Sequence, residues 1–278
     1  MENVKAIDSS QLALAALKED GSLWTWGDNL YGAAGNGTEE RLFTPVKIMD
    51  QVKEVKLGSG GTGAALKEDG SLWMWGSNEY GQVGNGTEEN QLTPVKVLEH
   101  VVDVKLCNDR EAYTAAITED GSLYMWGANY SGRIGNGEGG SGSADSNQLI
   151  PFKVMDNVRD TDVFLSDQVS AAITKDNSLW MWGNAHYGFG TGEIEDQLQE
   201  RPVKVMDDVR QVCIDGYDTY SVIKEDGSLW VWGNNYNGCL GIGATEPVYV
   251  KKAEKLMDNV RESIQFGGNH DRGVIKED

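Results

Sequence analysis

Three histidines, His100, His186 and His270, are the side chains best suited to move protons or ligate a metal near neutral pH. A metal centre needs several ligands converging on one point, and a nucleophilic triad needs serine, histidine and acid in register. The three histidines stand at different phases of the chain's internal repeat, so neither catalysis nor a metal site is expected from them. Cys107, Cys213 and Cys239 are few, odd in number and without zinc-ligand spacing, which argues against a disulfide framework and weakly favours a reducing compartment. The stretch "GSGGTG" (Gly58 to Gly63) resembles a phosphate-cradling loop. It lacks the following lysine, Ser/Thr and helix, and reads as a turn between strands. Acidic loops, "GTEER" (from Gly37), "GTEEN" (from Gly86) and "GEIEDQLQE" (from Gly192), carry oxygen ligands that could bind calcium weakly. The same composition makes a solvated face, and no cofactor is expected. "NGT" at Asn36 and Asn85 and "NYS" at Asn129 match the glycosylation acceptor pattern but equally describe Gly/Asn turns, so no modification is assigned.

The elements that position these residues follow from one phrase. "EDGSLWTWG" (Glu19 to Gly27) returns as "EDGSLWMWG", "EDGSLYMWG", "KDNSLWMWG" and "EDGSLWVWG". Its aspartate recurs at Asp20, Asp69, Asp120, Asp176 and Asp226, with Asp278 in the same phase, at intervals of 49 to 56 residues. All nine tryptophans lie in this phrase, and Tyr124 takes the tenth place. All five prolines, Pro45, Pro94, Pro151, Pro202 and Pro247, open one short segment of the type "PVKV". The units run over about 3–50, 51–99, 100–156, 157–207 and 208–258, with a partial sixth over 259–278. A Gly/Ser-rich insertion over 137–147 lengthens the third and reads as a flexible surface loop.

Within a unit, Asp-Gly is the strongest short hairpin signal, predicting a type I′ turn between "AALK" and "SLWMW". "PVKV" reads as a strand with proline at its first position. In "LWMW", Leu72 and Met74 point to one side and Trp73 and Trp75 to the other. Both sides are apolar, so each sheet must be covered on both. Stacked sheets that give every unit two neighbours make a β-propeller: all-β, with four-stranded antiparallel blades, five full ~50-residue repeats and a partial sixth. The phrase "ALKEDGSLWMWGSNEYGQVGNG…PVKV" resembles the repeat of the regulator of chromosome condensation family, and the resemblance runs over almost the whole chain. It implies a propeller typically of seven blades. The chain stops inside the sixth hairpin, which leaves three readings: a fragment of a seven-bladed ring, a ring with an incomplete blade, or an open form that self-associates through its incomplete blade.

The net charge of −20 opposes binding to a phosphate backbone, and no basic patch offsets it, so a nucleic-acid partner is not expected. No apolar stretch is long enough to cross a membrane. The N-terminus lacks signal-peptide features, which fits a cytoplasmic protein or one whose leader has been removed. Function is expected on loops that vary while the frame repeats. The most variable series precedes each "AAL" strand and holds Arg110, Tyr113, Tyr217, Tyr220, His270 and Arg272, types favoured at interaction hot spots. The loop tyrosines Tyr31, Tyr80, Tyr130, Tyr187 and Tyr236 read first as packing over blade edges and second as a recognition surface. The leading expectation is a non-enzymatic protein–protein interaction module with an unknown protein partner. The resemblance adds the alternative of a regulator of another enzyme, by guanine nucleotide exchange or by inhibition. A ligand-binding part of a larger cell-surface protein is a third reading.

Overall fold

The computed structural model describes the chain except residues 108–111, 140–145, 167, 193–197, 215–217, 244–248, 267–270 and 277–278, together with the side chains of 160–162, 237 and 262–276. The strands form successive four-stranded sheets. The first is β1 (Val4–Ser9), β2 (Ala13–Lys18), β3 (Leu23–Gly27) and β4 (Leu42–Met49). The second is β5 (Val52–Leu57), β6 (Thr62–Lys67), β7 (Leu72–Gly76) and β8 (Gln91–Leu98). The third is β9 (Val101–Leu106), β10 (Tyr113–Thr118), β11 (Leu123–Gly127) and β12 (Gln148–Met155). The fourth is β13 (Val158–Leu165), β14 (Val169–Thr174), β15 (Leu179–Asn184) and β16 (Leu198–Met206). The fifth is β17 (Val209–Ile214), β18 (Thr219–Lys224), β19 (Leu229–Asn234) and β20 (Tyr249–Met257). A hairpin of β21 (Val260–Phe266) and β22 (Asp271–Lys276) follows. Each sheet is an up-and-down blade of a β-propeller. The chain divides into two compact units, Met1–Tyr130 with Ser141–Thr161, and Ser131–Gly140 with Asp162–Asp278.

The turn between the second and third strands is not type I′. Lys18 N–H donates to Ser22 O (3.0 Å) and Gly21 N–H to Lys18 O (3.0 Å), closing a three-residue loop with only Gly21 at positive φ (76°). That is a type I turn followed by a left-handed glycine. Asp20 thus keeps an ordinary φ and turns its carboxylate forward, where Oδ1 accepts from Ser22 N–H (3.0 Å) and Ser22 Oγ–H (2.6 Å). Ser22 Oγ in turn accepts from Trp24 Nε1–H (3.0 Å). Asp69–Ser71–Trp73 and Asp226–Ser228–Trp230 repeat the relay. This explains why "DGSLW" recurs as a phrase: the aspartate accepts from the serine, and the serine from the tryptophan.

The prolines also stand elsewhere than expected. Pro94 is the fourth residue of β8, where the register breaks between Met74↔Val95 and Gly76↔Gln91. It sits in a bulge on the sheet's outer strand, where no ladder N–H is missed.

The alternate aromatic residues of each phrase share a face, but from the second blade on they differ in environment, while Trp24 and Trp26 of the first are both half-buried. Trp24, Trp73, Trp180 and Trp230 are half-buried, whereas Trp75, Trp126, Trp182 and Trp232 are wholly buried. In the first unit, Trp75 packs with Ala13, Ala15, Leu17 and Leu23 of the preceding blade, and Trp126 with Leu66, Leu72 and Met74. In the second unit, Trp232 packs with Ile173, Leu179 and Met181. From the second blade on, the second indole is therefore the wedge against the preceding sheet, contributing roughly 3 kcal/mol each by buried area.

Blades are also joined through the backbone. Val52 N–H donates to Gly21 O, Val101 N–H to Gly70 O and Val158 N–H to Gly121 O, at 2.8–2.9 Å. Just before each of these valines the chain passes through a left-handed residue: Gln51 (φ 62°), His100 (φ 57°) and Asn157 (φ 60°). Asn3, Asp208 and Asn259 hold the corresponding places (φ 57–61°). The work of His100 is thus conformational.

A candidate partner-binding face

In four of the five blades the loop that follows the third strand is built around a buried asparagine, Asn29, Asn78, Asn129 or Asn235, and Ala185 takes the place in the fourth. In the second blade Asn78 Nδ2–H donates to Thr87 O (2.8 Å) and Glu89 O (3.0 Å), and Asn78 Oδ1 accepts from Val83 N–H (2.8 Å). Asn29 makes the same set with Thr38 O, Glu40 O and Ala34 N–H. One side chain thereby fixes both ends of an irregular loop that has no ladder of its own. Gln82, also buried, accepts from Tyr80 N–H through Oε1 (3.0 Å) and donates to Ser77 Oγ (3.3 Å).

These anchors shape a cavity of about 450 Å³ in the first unit. Tyr31 enters it from the first blade, Glu79, Tyr80, Gln82, Glu88 and Glu89 from the second, and Gly60 and Ala112 from the turns that precede the β6 and β10 strands. Tyr31 is 49% exposed and sits at positive φ (60°), so the backbone itself turns the ring outward. Tyr80 is half-buried and meets Tyr130 edge-on, with ring centroids 6.1 Å apart. Glu79, Glu88 and Glu89 are exposed, and among the described residues no lysine or arginine lines the cavity. Glu88 Oε1 accepts from Asn147 Nδ2–H (3.2 Å).

The second unit carries a different arrangement at the corresponding loops. Tyr220 Oη–H donates to Asp218 Oδ1 (3.1 Å), and Asp218 Oδ2 lies 3.2 Å from His186 Nδ1. Tyr187 stacks on Tyr249 with centroids 4.2 Å apart and planes 8° from parallel. The hydrogen bond to Tyr249, with burial second, raises the Tyr187 phenol above its ordinary range. Among the described residues, no group of three or more His, Cys, Asp or Glu side chains is arranged to hold a metal.

Of the six side chains expected to meet a partner, Arg110, Tyr217 and His270 lie outside the described residues. Arg272 pairs with Gln265 in the last hairpin, its side chain likewise undescribed. Tyr113 (1% exposed) and Tyr220 (0%) are core residues, which corrects their expected place on the surface. Tyr113 opens β10 opposite Gly127, where an added Cβ on the glycine would come 2.7 Å from Tyr113 Cα. Tyr220 stacks on Trp232, its cross-strand partner, with centroids 5.3 Å apart. Both belong to the strand rather than to the loop before it. The cavity instead gathers three features read separately in the sequence: the loop tyrosines, the "GTEEN" acids and the turns before the second strands. Glu79 was not singled out; its place beside the loop tyrosine was the available signal.

Models of the regulator of chromosome condensation (RCC1) repeat match residues 20–65, 69–108, 120–173 and 226–270, and a second model of that repeat matches 52–82. The chain belongs to the RCC1 repeat family. The RCC1 domain-containing protein RUG3, mitochondrial, of Arabidopsis thaliana is 30% identical over 217 residues, 75% of this chain and 49% of that protein. The chain therefore spans about half the length of this relative. Human WBSCR16 superposes with a TM-score of 0.65 at 19% identity, over 94% of this chain and 69% of that one. Yeast RCC1 (Prp20), solved bound to Kap60, gives 0.64 at 20% identity, over 94% of this chain and 65% of that one. These two likenesses concern the fold.

Proposed function

We infer that this domain is a non-enzymatic protein-interaction module that binds its partner through the loops around the Tyr31–Tyr80 cavity. One observation carries the reading: a frame of repeated blades holds an exposed tyrosine, Tyr31, and a half-buried one, Tyr80, from two blades around one concave site. Tyrosine supplies large contact area at low conformational cost, and pockets lined by it are typical anchors for a partner. Yeast RCC1 (Prp20), similar in fold, was solved bound to a protein, Kap60, which supports a protein-binding reading. Arg110 and Tyr217, of the variable turns, stay proposed as partner contacts, each within its own unit.

Capture of proteins from the source cell's extract, compared between wild type and the Tyr31→Ala/Tyr80→Ala variant, tests this. The reading predicts at least one protein whose recovery falls tenfold or more with the variant while the domain's melting temperature is kept. Identical recovery from both would remove the cavity face as the binding surface. Arg110→Ala and Tyr217→Ala, run in parallel, report whether the surface extends to the variable turns.

A further inference from the structure

We propose that the Tyr31–Tyr80 cavity takes a lysine or arginine side chain from a basic segment of the protein partner. The assignment rests on the interaction reading above and adds the chemistry of the partner. Three observations lead to it. First, the walls carry two tyrosine rings, and the face of an aromatic ring attracts an ammonium or guanidinium group. Second, Glu79 and Glu89 on the rim have no ion-pair partner among the described residues. Their charge is thus open to a partner's cation, whereas that of Asp28 in the first blade's loop is held by Arg41 at 2.7 Å. Third, the amide of Gln82 in the lining is already engaged on both sides, by Tyr80 N–H and Ser77 Oγ. A cation finds there two carboxylates without an ion-pair partner among the described residues, beside two tyrosines. The volume of about 450 Å³ suits one long side chain with part of its backbone, and the net charge of −20 would draw a basic segment toward the surface.

The test uses the full chain and a fluorescein-labelled nonapeptide carrying three alternating lysines, with a norleucine version as the uncharged counterpart. Binding is read by anisotropy at about physiological salt, where non-local attraction is screened beyond ~8 Å. Glu79→Gln/Glu89→Gln is expected to weaken the lysine peptide tenfold or more, and Tyr80→Ala fivefold or more. Glu39→Gln/Glu40→Gln removes the same charge from the matching loop of the first blade, outside the cavity, and is expected to change affinity less than twofold. Free lysine amide is expected to bind at least tenfold more weakly than the peptide; equal binding would assign the cavity to a small cation and overturn the proposal. Equal losses from both glutamate pairs would reduce the effect to general charge and overturn it too, as would equal binding of the norleucine peptide or no binding at millimolar concentration. If the peptide fails while Tyr31→Ala/Tyr80→Ala still abolishes capture of a cellular protein, the interaction reading stands and the cationic assignment falls.

Discussion

Trp126 Nε1–H donates to the main-chain carbonyl of Gln82, 2.9 Å away in the loop of the preceding blade. Thr114 Oγ1–H donates to the same oxygen, also at 2.9 Å. One carbonyl thus has both lone pairs satisfied by the next blade. Trp75 reaches Ala33 O (2.9 Å) in the same way, and in the second unit Trp182 and Ser170 share Arg133 O (2.8 and 2.9 Å). The pattern ends at Trp232, whose Nε1 is buried without an acceptor. There the loop reads Gly188-Phe189-Gly190, one residue shorter than Gly81-Gln82-Val83-Gly84, and Tyr220, whose hydroxyl goes to Asp218, stands where Thr114 and Ser170 stand in other blades.

The shared carbonyl makes a double-mutant cycle informative. Thr114→Val and Trp126→Phe each remove one donor, and the oxygen keeps the other. Loss of a single bond costs about 1 kcal/mol, and Trp126→Phe adds a packing loss. Together they strand a buried acceptor, which costs about 1–3 kcal/mol more. Urea unfolding of the two single variants and the double should therefore show a loss greater than the sum. Strict additivity would mean that the two donors do not share one acceptor.

Gln51 lies at φ 62° in a position where Asn157 and Asn259 serve other blades. A left-handed backbone costs an ordinary side chain about 1–2 kcal/mol, less for asparagine and nothing for glycine. Gln51→Asn should raise stability by about 0.5 kcal/mol and Gln51→Gly by up to about 1 kcal/mol, read as a higher melting temperature. A loss from both would mean that the glutamine side chain compensates for its backbone.

Asp120 has its carboxyl lowered to about 2, first by the Thr118 hydroxyl and then by Ser122 N–H. A folded pKa below the unfolded value, which lies near 4, means stability that is complete above about pH 5 and lost as pH falls toward 2. Thr118→Val should move the carboxyl back up and flatten that acid dependence. Carbon-detected NMR titration of Asp120 reads the first effect, and melting between pH 2 and 6 the second. An unmoved titration would assign the shift to the backbone bond alone.

The blades were legible because tryptophan, proline and Asp-Gly recur together, and because an apolar strand such as "LWMW" has no polar side to give to water. The turn type was not legible: Asp-Gly fits both a two-residue and a three-residue loop, and the choice rests on the Asp20–Ser22 bonds. Proline was placed too early because "PVKV" hides the bulge that lets β8 begin at Gln91. Tyr113 and Tyr220 look like loop residues by type. Their burial follows from register: Tyr113 is in phase with Ala115 and Ile117, and Tyr220 faces Trp232. The cavity needs side chains from separate repeats to meet, which period alone does not encode.

Hydrogen exchange of the indole N–H groups, resolved by NMR on the nitrogen-15-labelled chain, tests the stacking of blades most directly. Trp75, Trp126 and Trp182 donate to the preceding loop from full burial, whereas Trp26 is half-buried and makes no hydrogen bond among the described residues. Those three indoles should exchange at least a hundredfold more slowly than that of Trp26. Four indoles exchanging at one common rate would contradict the account.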